Sequence, residues 1–293
     1  MAHAPLPELI PPPRVRQKTI RPRRGRGSDR AKARELLANL VRRDLKVRHR
    51  GTVLGMLWSL TTPLLLVALY YFVFKVVFKA SPALDLPRPD RQSIPFAVYF
   101  FAGLTLWNLF GNSITASTMS IVGSGYLLNK VYFPRSILPL SVVLSSLVTF
   151  GFELAVLLIM AIAVFGLPSL QILWLPLIVA VVALLSYGIG LFLATITVFL
   201  RDVAHFIGVL LQLWFWGSPV IYSLQFVADR PLVHRLLELN PMTGPLVSFR
   251  NVVVLNHAPD FSLLAYSFGC AVVALAVGGL CFKRWERLFS EIV

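Results

Sequence analysis

Long stretches without charge set the pattern of this chain. Residues 51–74, 92–129, 136–152, 154–200, 203–228 and 261–282 hold no Asp, Glu, Lys or Arg. A helix of about 20 apolar residues crosses the hydrocarbon core of a bilayer. The gap 154–200 is long enough for two such helices, and Gly166-Leu167-Pro168-Ser169 supplies a turn inside it. The pattern predicts an all-α integral membrane protein with six transmembrane helices. They fall near 53–77, 95–118, 137–165, 171–199, 204–223 and 261–282. Pro219 lies within the fifth, where a proline removes a backbone hydrogen bond and predicts a kink.

Two segments between the gaps have patterns of their own. Residues 1–27 are rich in Pro, Arg and Gly and read as a disordered basic arm. Residues 28–52 read as an amphipathic helix in the membrane interface, with Ser28 as N-cap and Leu36, Leu37, Leu40, Val41 and Val47 on one side. Residues 53–293 form the six-span domain. Residues 224–260 are too apolar for a free loop and too short for two spans. Leu232 to Leu239 predicts a short helix ended by Asn240-Pro241, and Met242 to Leu255 a returning one. The pair reads as a re-entrant helical hairpin between spans five and six.

Composition fits the same class. The chain is 57% hydrophobic and 14% charged, where a soluble domain carries about 25% charge. Its net charge of +15 is uneven. Lys and Arg number twenty-one on the side of the two termini and six on the other, with Lys75 at a span end. The positive-inside rule then puts both termini in the cytoplasm. This distribution points to anionic membrane lipid as a partner and away from nucleic acid. No apolar core precedes Leu36, so no cleavable signal peptide is expected. Cys270 and Cys281 are ~16 Å apart along a helix, too far for a disulfide.

Chemistry is sparse. The sequence has no phosphate-binding loop, no histidines at metal spacing and no nucleophile triad legible from spacing. Glu153 is the one carboxylate well inside a span, either a functional group or one bonded to Ser, Thr or Tyr of a neighbour. Ion coupling normally needs more such groups, so uphill transport would draw on an external motor.

Several blocks carry a family resemblance. Arg43-Asp44-Leu45-Lys46-Val47-Arg48-His49-Arg50-Gly51 leads through Trp58-Ser59-Leu60 to Pro63. Then come Leu127-Leu128-Asn129-Lys130-Val131-Tyr132-Phe133-Pro134-Arg135, Phe199-Leu200-Arg201-Asp202-Val203, Phe215-Trp216-Gly217-Ser218-Pro219-Val220-Ile221-Tyr222 and Asn240-Pro241-Met242. In this order they resemble ABC-2-type permeases of the polysaccharide exporter group, which export O-antigen, capsule or wall teichoic acid.

The resemblance implies a homodimer docked on two separate ATPase subunits, which hold the ATP and Mg. No cofactor is expected on this chain, which would be a transport subunit and not an enzyme, in the bacterial cytoplasmic (inner) membrane. It implies that Asn129, Lys130, Val131, Tyr132, Phe133, Pro134 and Arg135 meet the ATPase subunit. Arg43, Lys46, Arg48 and Arg50 would meet the diphosphate of a lipid-linked polysaccharide or ordinary anionic lipid. Spans one and five would line the path, with Trp58, Tyr70, Phe74, Trp214, Phe215, Trp216, Pro219 and Tyr222 as candidates. The alternatives are an ABC-2 permease for a small lipid or drug, or a membrane-embedded glycan-processing enzyme.

Overall fold

In a computed structural model, residues 26–48, 58–72, 95–126 and 133–292 are described. Among them all regular structure is helical. The main helices are α1 (Arg26–Arg48), α2 (Trp58–Tyr71), α3 (Phe96–Thr118), α4 (Ile137–Phe165), α5 (Leu175–Phe199), α6 (Val203–Trp216), α7 (Pro231–Glu238), α8 (Thr243–Arg250), α9 (Phe261–Trp285) and α10 (Phe289–Ile292). The arm 1–25 and the link 49–57 lie outside the described residues.

Among the described residues, three stretches are long and apolar enough to cross a membrane: Ile137–Phe165, Leu170–Phe199 and Phe261–Leu288. Val203–Trp216 and Thr243–Leu255 are apolar but shorter. Helix α3 has the length, 23 residues, but carries Thr105, Asn108, Asn112 and Ser113. Its position accounts for part of that composition. It packs on α2, α4, α5, α6 and α8 at once, and Phe100, Phe101, Ala102, Leu106 and Phe110 are fully buried. Thr105 and Ser113 lie under these neighbours, whereas Asn112 is exposed.

Small residues set the closest crossing, between α5 and α9. A Cβ on Gly188 would run into the backbone of Ala274 and Leu275, and one on Gly278 into the carbonyl of Gly188. Backbones approach this closely where the side chain is a hydrogen, the usual device for packing helices without a hydrophobic driving force.

Two buried clusters result. The larger surrounds α3 and takes in α4, α5 and α8. The smaller joins Leu40 of α1, Ile121, Ile137 and Leu138 of α4, Leu191, Ala194 and Val198 of α5, Phe282 of α9 and Phe289 of α10. Thus α1 and the C-terminal helix meet at one end of the bundle. The predicted stripe on α1 is partly used there: Leu36 and Leu37 also pack on the smaller cluster.

Three expectations need correction. Helix α1 starts at Arg26, so Ser28 lies in its first turn and is not the N-cap. The fifth predicted span, 204–223, is not one helix. It ends at Trp216, followed by a turn through Gly217. Pro219 therefore lies beyond the helix end, in a buried break, and does not kink a continuous helix. Its missing N–H costs nothing there, because the ladder has already ended.

Candidate functional site

The predicted hairpin is present as α7, the turn at Asn240-Pro241, and α8 continuing through a wider turn over Asn251–Leu255. Every residue of α8 except Val247 is buried, from Thr243 to Arg250. A short polar-ended helix can sit at such depth only if protein satisfies its groups.

Two side chains from the hairpin do this for the break after α6. Asn240 accepts from the indole Nε1 of Trp214 at 2.9 Å and from the Met242 amide at 3.0 Å. Its Nδ2 donates to the Gly217 carbonyl at 2.9 Å and to Ser218 Oγ at 2.8 Å. The Ser218 hydroxyl in turn donates to the Trp214 carbonyl at 2.8 Å. So one amide ends α6, holds Trp214 and starts the second helix of the hairpin.

Arg250 does the same from the other side. It is 2% exposed, although sequence counting placed it among loop charges. Its Nε donates to the Tyr99 carbonyl at 3.2 Å and one Nη to the Tyr99 hydroxyl at 3.3 Å. Its other bonds reach the carbonyls of Pro219 and Val220. The guanidinium carbon stands 3.9 Å from the Tyr99 ring centroid, a cation–π contact. The Pro219 and Val220 carbonyls lie in the buried break beyond α6, where no helix ladder supplies donors, and a five-donor fork suits them. Gly103 makes room: a Cβ there would strike the guanidinium and the Val220 carbonyl. Nothing in the local sequence around Arg250 signals burial except the apolar residues on either side of it.

Glu153 is 2% exposed on α4. Asn108 of α3 donates to both its oxygens, at 3.4 and 3.2 Å. The expected Ser, Thr or Tyr partner is thus an asparagine amide instead. Nearby, the hydroxyls of Thr105, Ser113, Ser117, Ser146 and Ser186 are buried without a partner. Here serine serves partly as a small residue, as where Ser117 lies against Gly190. On the other face of α3, Asn112 and Thr115 are exposed. These polar groups are uncovered in the middle of an otherwise packed helix.

The aromatic path candidates separate into groups. Trp214 and Phe215 pack edge-on against α3, with ring centroids 5.0 Å from Phe110 and 5.6 Å from Trp107 respectively. With its indole N–H also taken, Trp214 is committed to holding α6. Trp216 is 53% exposed and remains available. Tyr222 is partly buried and donates to the Trp216 carbonyl at 3.2 Å. Trp58 and Tyr70 are on α2, with side chains outside the described residues, as is all of Phe74. Helix α6 buries only Ile207, leaving Phe206, Val209, Leu210, Leu213 and Trp216 uncovered.

At the opposite end, Arg43 pairs with its neighbour Asp44 at 3.0 Å. Asp44 also accepts from Ser141 at 3.3 Å. Both border a cavity of about 510 Å³ lined by Ser120, Ser124, Ser141 and Ser145. Lys46 is exposed on α1. The Arg48 side chain and Arg50 lie outside the described residues, as do Asn129, Lys130, Val131 and Tyr132. Phe133 is half-buried against the smaller cluster, Pro134 is exposed, and Arg135 donates to the carbonyl of Glu286.

Residues 35–254 match the family model described as ABC-2 type transporter. The chain belongs to the ABC-2 type transporter family. It is the membrane subunit of an ABC transporter, not an enzyme. Similar proteins include the O-antigen export system permease protein RfbA of Myxococcus xanthus, 32% identical over 261 residues, covering 89% of this chain and 96% of the relative. Two proteins of the same name from Klebsiella pneumoniae are 28% and 30% identical. Each alignment covers 88% of this chain and 95% of the relative. For this ABC-2 permease, the hairpin and its clamps fall within the family match, whereas α9 and α10 lie beyond residue 254.

Proposed function

We propose that this permease exports a lipid-linked cell-envelope polysaccharide of the O-antigen type, as a homodimer driven by two ATPase subunits. The observation that carries the reading is similarity to O-antigen export permeases across 89% of this chain and 96% of the first relative. In this reading six spans place both termini in the cytoplasm, where the basic arm and α1 meet anionic headgroups. Residues Asn129–Arg135 form the coupling loop to the ATPase subunit.

The glycan passes between the two copies, along faces that one copy leaves uncovered. Uncovered apolar residues on α6 and uncovered Asn112 and Thr115 on α3 support this. Such a path needs groups that meet sugar hydroxyls and rings without demanding one sequence of sugars. Trp216 supplies a ring face, and Asn112 and Thr115 supply donors and acceptors. The diphosphate would be met by Lys46, Arg48 and Arg50. Arg43 is already balanced by Asp44, so it contributes less. Glu153 holds α4 to α3 and is not part of an ion path.

Deletion of the gene in its native host tests the reading. Loss of surface polymer, with lipid-linked polymer accumulating inside, is expected. Unchanged surface polymer together with lost export of a small lipid or drug would replace it with the alternative load.

A further inference from the structure

The loop bearing Phe133 and Arg135 is held by the chain's own C-terminal segment. Helix α9 ends at Trp285, and its last carbonyls have no partners within the helix. Arg135 comes from far away in sequence and donates to the carbonyl of Glu286, the residue that caps the helix and whose carbonyl also accepts from the Phe289 amide. A cation suits that end, where the aligned peptide dipoles leave partial negative charge. Beyond it the chain does not trail away. Phe289 is fully buried, with its ring edge-on to Phe282 at 5.2 Å. The cluster that receives it also contains Leu40 of α1 and Ile137 and Leu138, the first residues of α4, and Phe133 packs against the same cluster. A third tie comes from α5: the Tyr187 hydroxyl donates to the Ser136 carbonyl at 3.3 Å. Of the residues 133–136, only Pro134 is left exposed.

We propose that Glu286–Ile292 is a brace that positions the loop Phe133–Ser136 for the ATP-hydrolysing partner. Arg135 and Phe133 are positioning residues that hold the loop to α1, α5 and α9, instead of anchors reaching into the partner. The proposal rests on the reading that this loop receives the ATPase subunit. A push on the loop then moves the interfacial helix and the end of the last span together, because one cluster joins all three. Apolar packing at this end makes the brace dependent on shape, so Phe289→Leu preserves it and Phe289→Ala does not.

Hydrogen exchange of the full-length chain alone, in nanodiscs without any partner, tests the brace. Phe289→Ala and Arg135→Ala are each expected to raise exchange at the first amides of α4, where Ile137 and Leu138 bond back to Pro134 and Arg135. Arg135→Lys and Phe289→Leu should leave it near the parent's. Unchanged exchange in both alanine variants overturns the brace. Binding of the ATPase subunit to the same samples then tests its consequence. Each alanine variant should bind about tenfold more weakly, the size of one charge-assisted hydrogen bond. The double variant should be no weaker than the worse single one, because both remove one device. Parent-like binding by Phe289→Ala with lost binding by Arg135→Ala would make Arg135 a direct contact and sink the proposal. Failure of the parent chain to bind the ATPase subunit would sink the coupling reading instead, leaving the exchange result to decide the brace by itself.

Discussion

The two ends of the bundle are held by different physics. At the hairpin end, Asn240 and Arg250 bond the carbonyls and side chains around the break after α6. At the other end, α1, the loop at Phe133 and the C-terminal helix share an apolar cluster, with few polar ties. Hydrogen bonds to backbone fix distance and angle, and they are costly to leave unmade where water is absent. Apolar packing tolerates small sliding and responds mainly to volume. A buried break beyond a helix end needs the first kind of support. On the proposed reading the other end receives force from the ATPase subunit, and the second kind serves that better.

The largest effect is expected at Arg250. Arg250→Met removes the donors to the buried carbonyls of Pro219 and Val220 and to the Tyr99 hydroxyl, at roughly 1–3 kcal/mol each. Little folded protein should survive detergent extraction, as read by fluorescence-detected size exclusion. Arg250→Lys keeps the charge but not the fork and should fall between. A stable Arg250→Met variant would erase the contrast between the two ends.

Asn240→Ala should cost less, roughly 1–3 kcal/mol, because Gly217 and Trp214 remain partly accessible to other partners. The expected signature is a lowered Tm with a changed tryptophan emission, since the Trp214 indole loses its acceptor. Phe289→Ala should follow. A buried Phe→Ala change costs about 3–5 kcal/mol in a full core, but this cluster is small and terminal. The loss should stay local, visible in exchange near α4 and not in the global Tm. A global collapse would mean that both ends are equally built in.

The smallest effect is expected at Glu153. Glu153→Gln retains an acceptor for Asn108, so folding and export should match the parent. An export defect at parent-like Tm would instead give Glu153 a part in transport.

Much of the helical plan was legible because charge-free length is a strong signal. The third span and the hairpin's two helices fall where the pattern put them. Span five was misread at its C-terminal end. Hydropathy runs on through Ser218 to Tyr222, while the backbone stops at Gly217 because Asn240 and Arg250 offer its carbonyls better partners than a further turn would. Those partners lie more than 20 residues away in sequence, and no local pattern announces them. Arg250 was misplaced for the same reason: charge counting assumes that a lone cation outside a span faces water. Arg135 and Phe133 were legible as part of a family-like block, but not as residues gripped from the C-terminus, since only the fold brings residue 289 to them. The central place of α3 among five other helices was hidden too, because charge-free length does not tell a central span from a peripheral one.

The most direct measurement reconstitutes the permease with its ATPase subunit in proteoliposomes containing a lipid-linked O-antigen. The expected result is faster ATP hydrolysis and appearance of glycan on the far side of the membrane, both abolished by a hydrolysis-dead ATPase subunit. Glycan that stays put and leaves hydrolysis unchanged, while a small lipid or drug stimulates it, would contradict polysaccharide export by this chain.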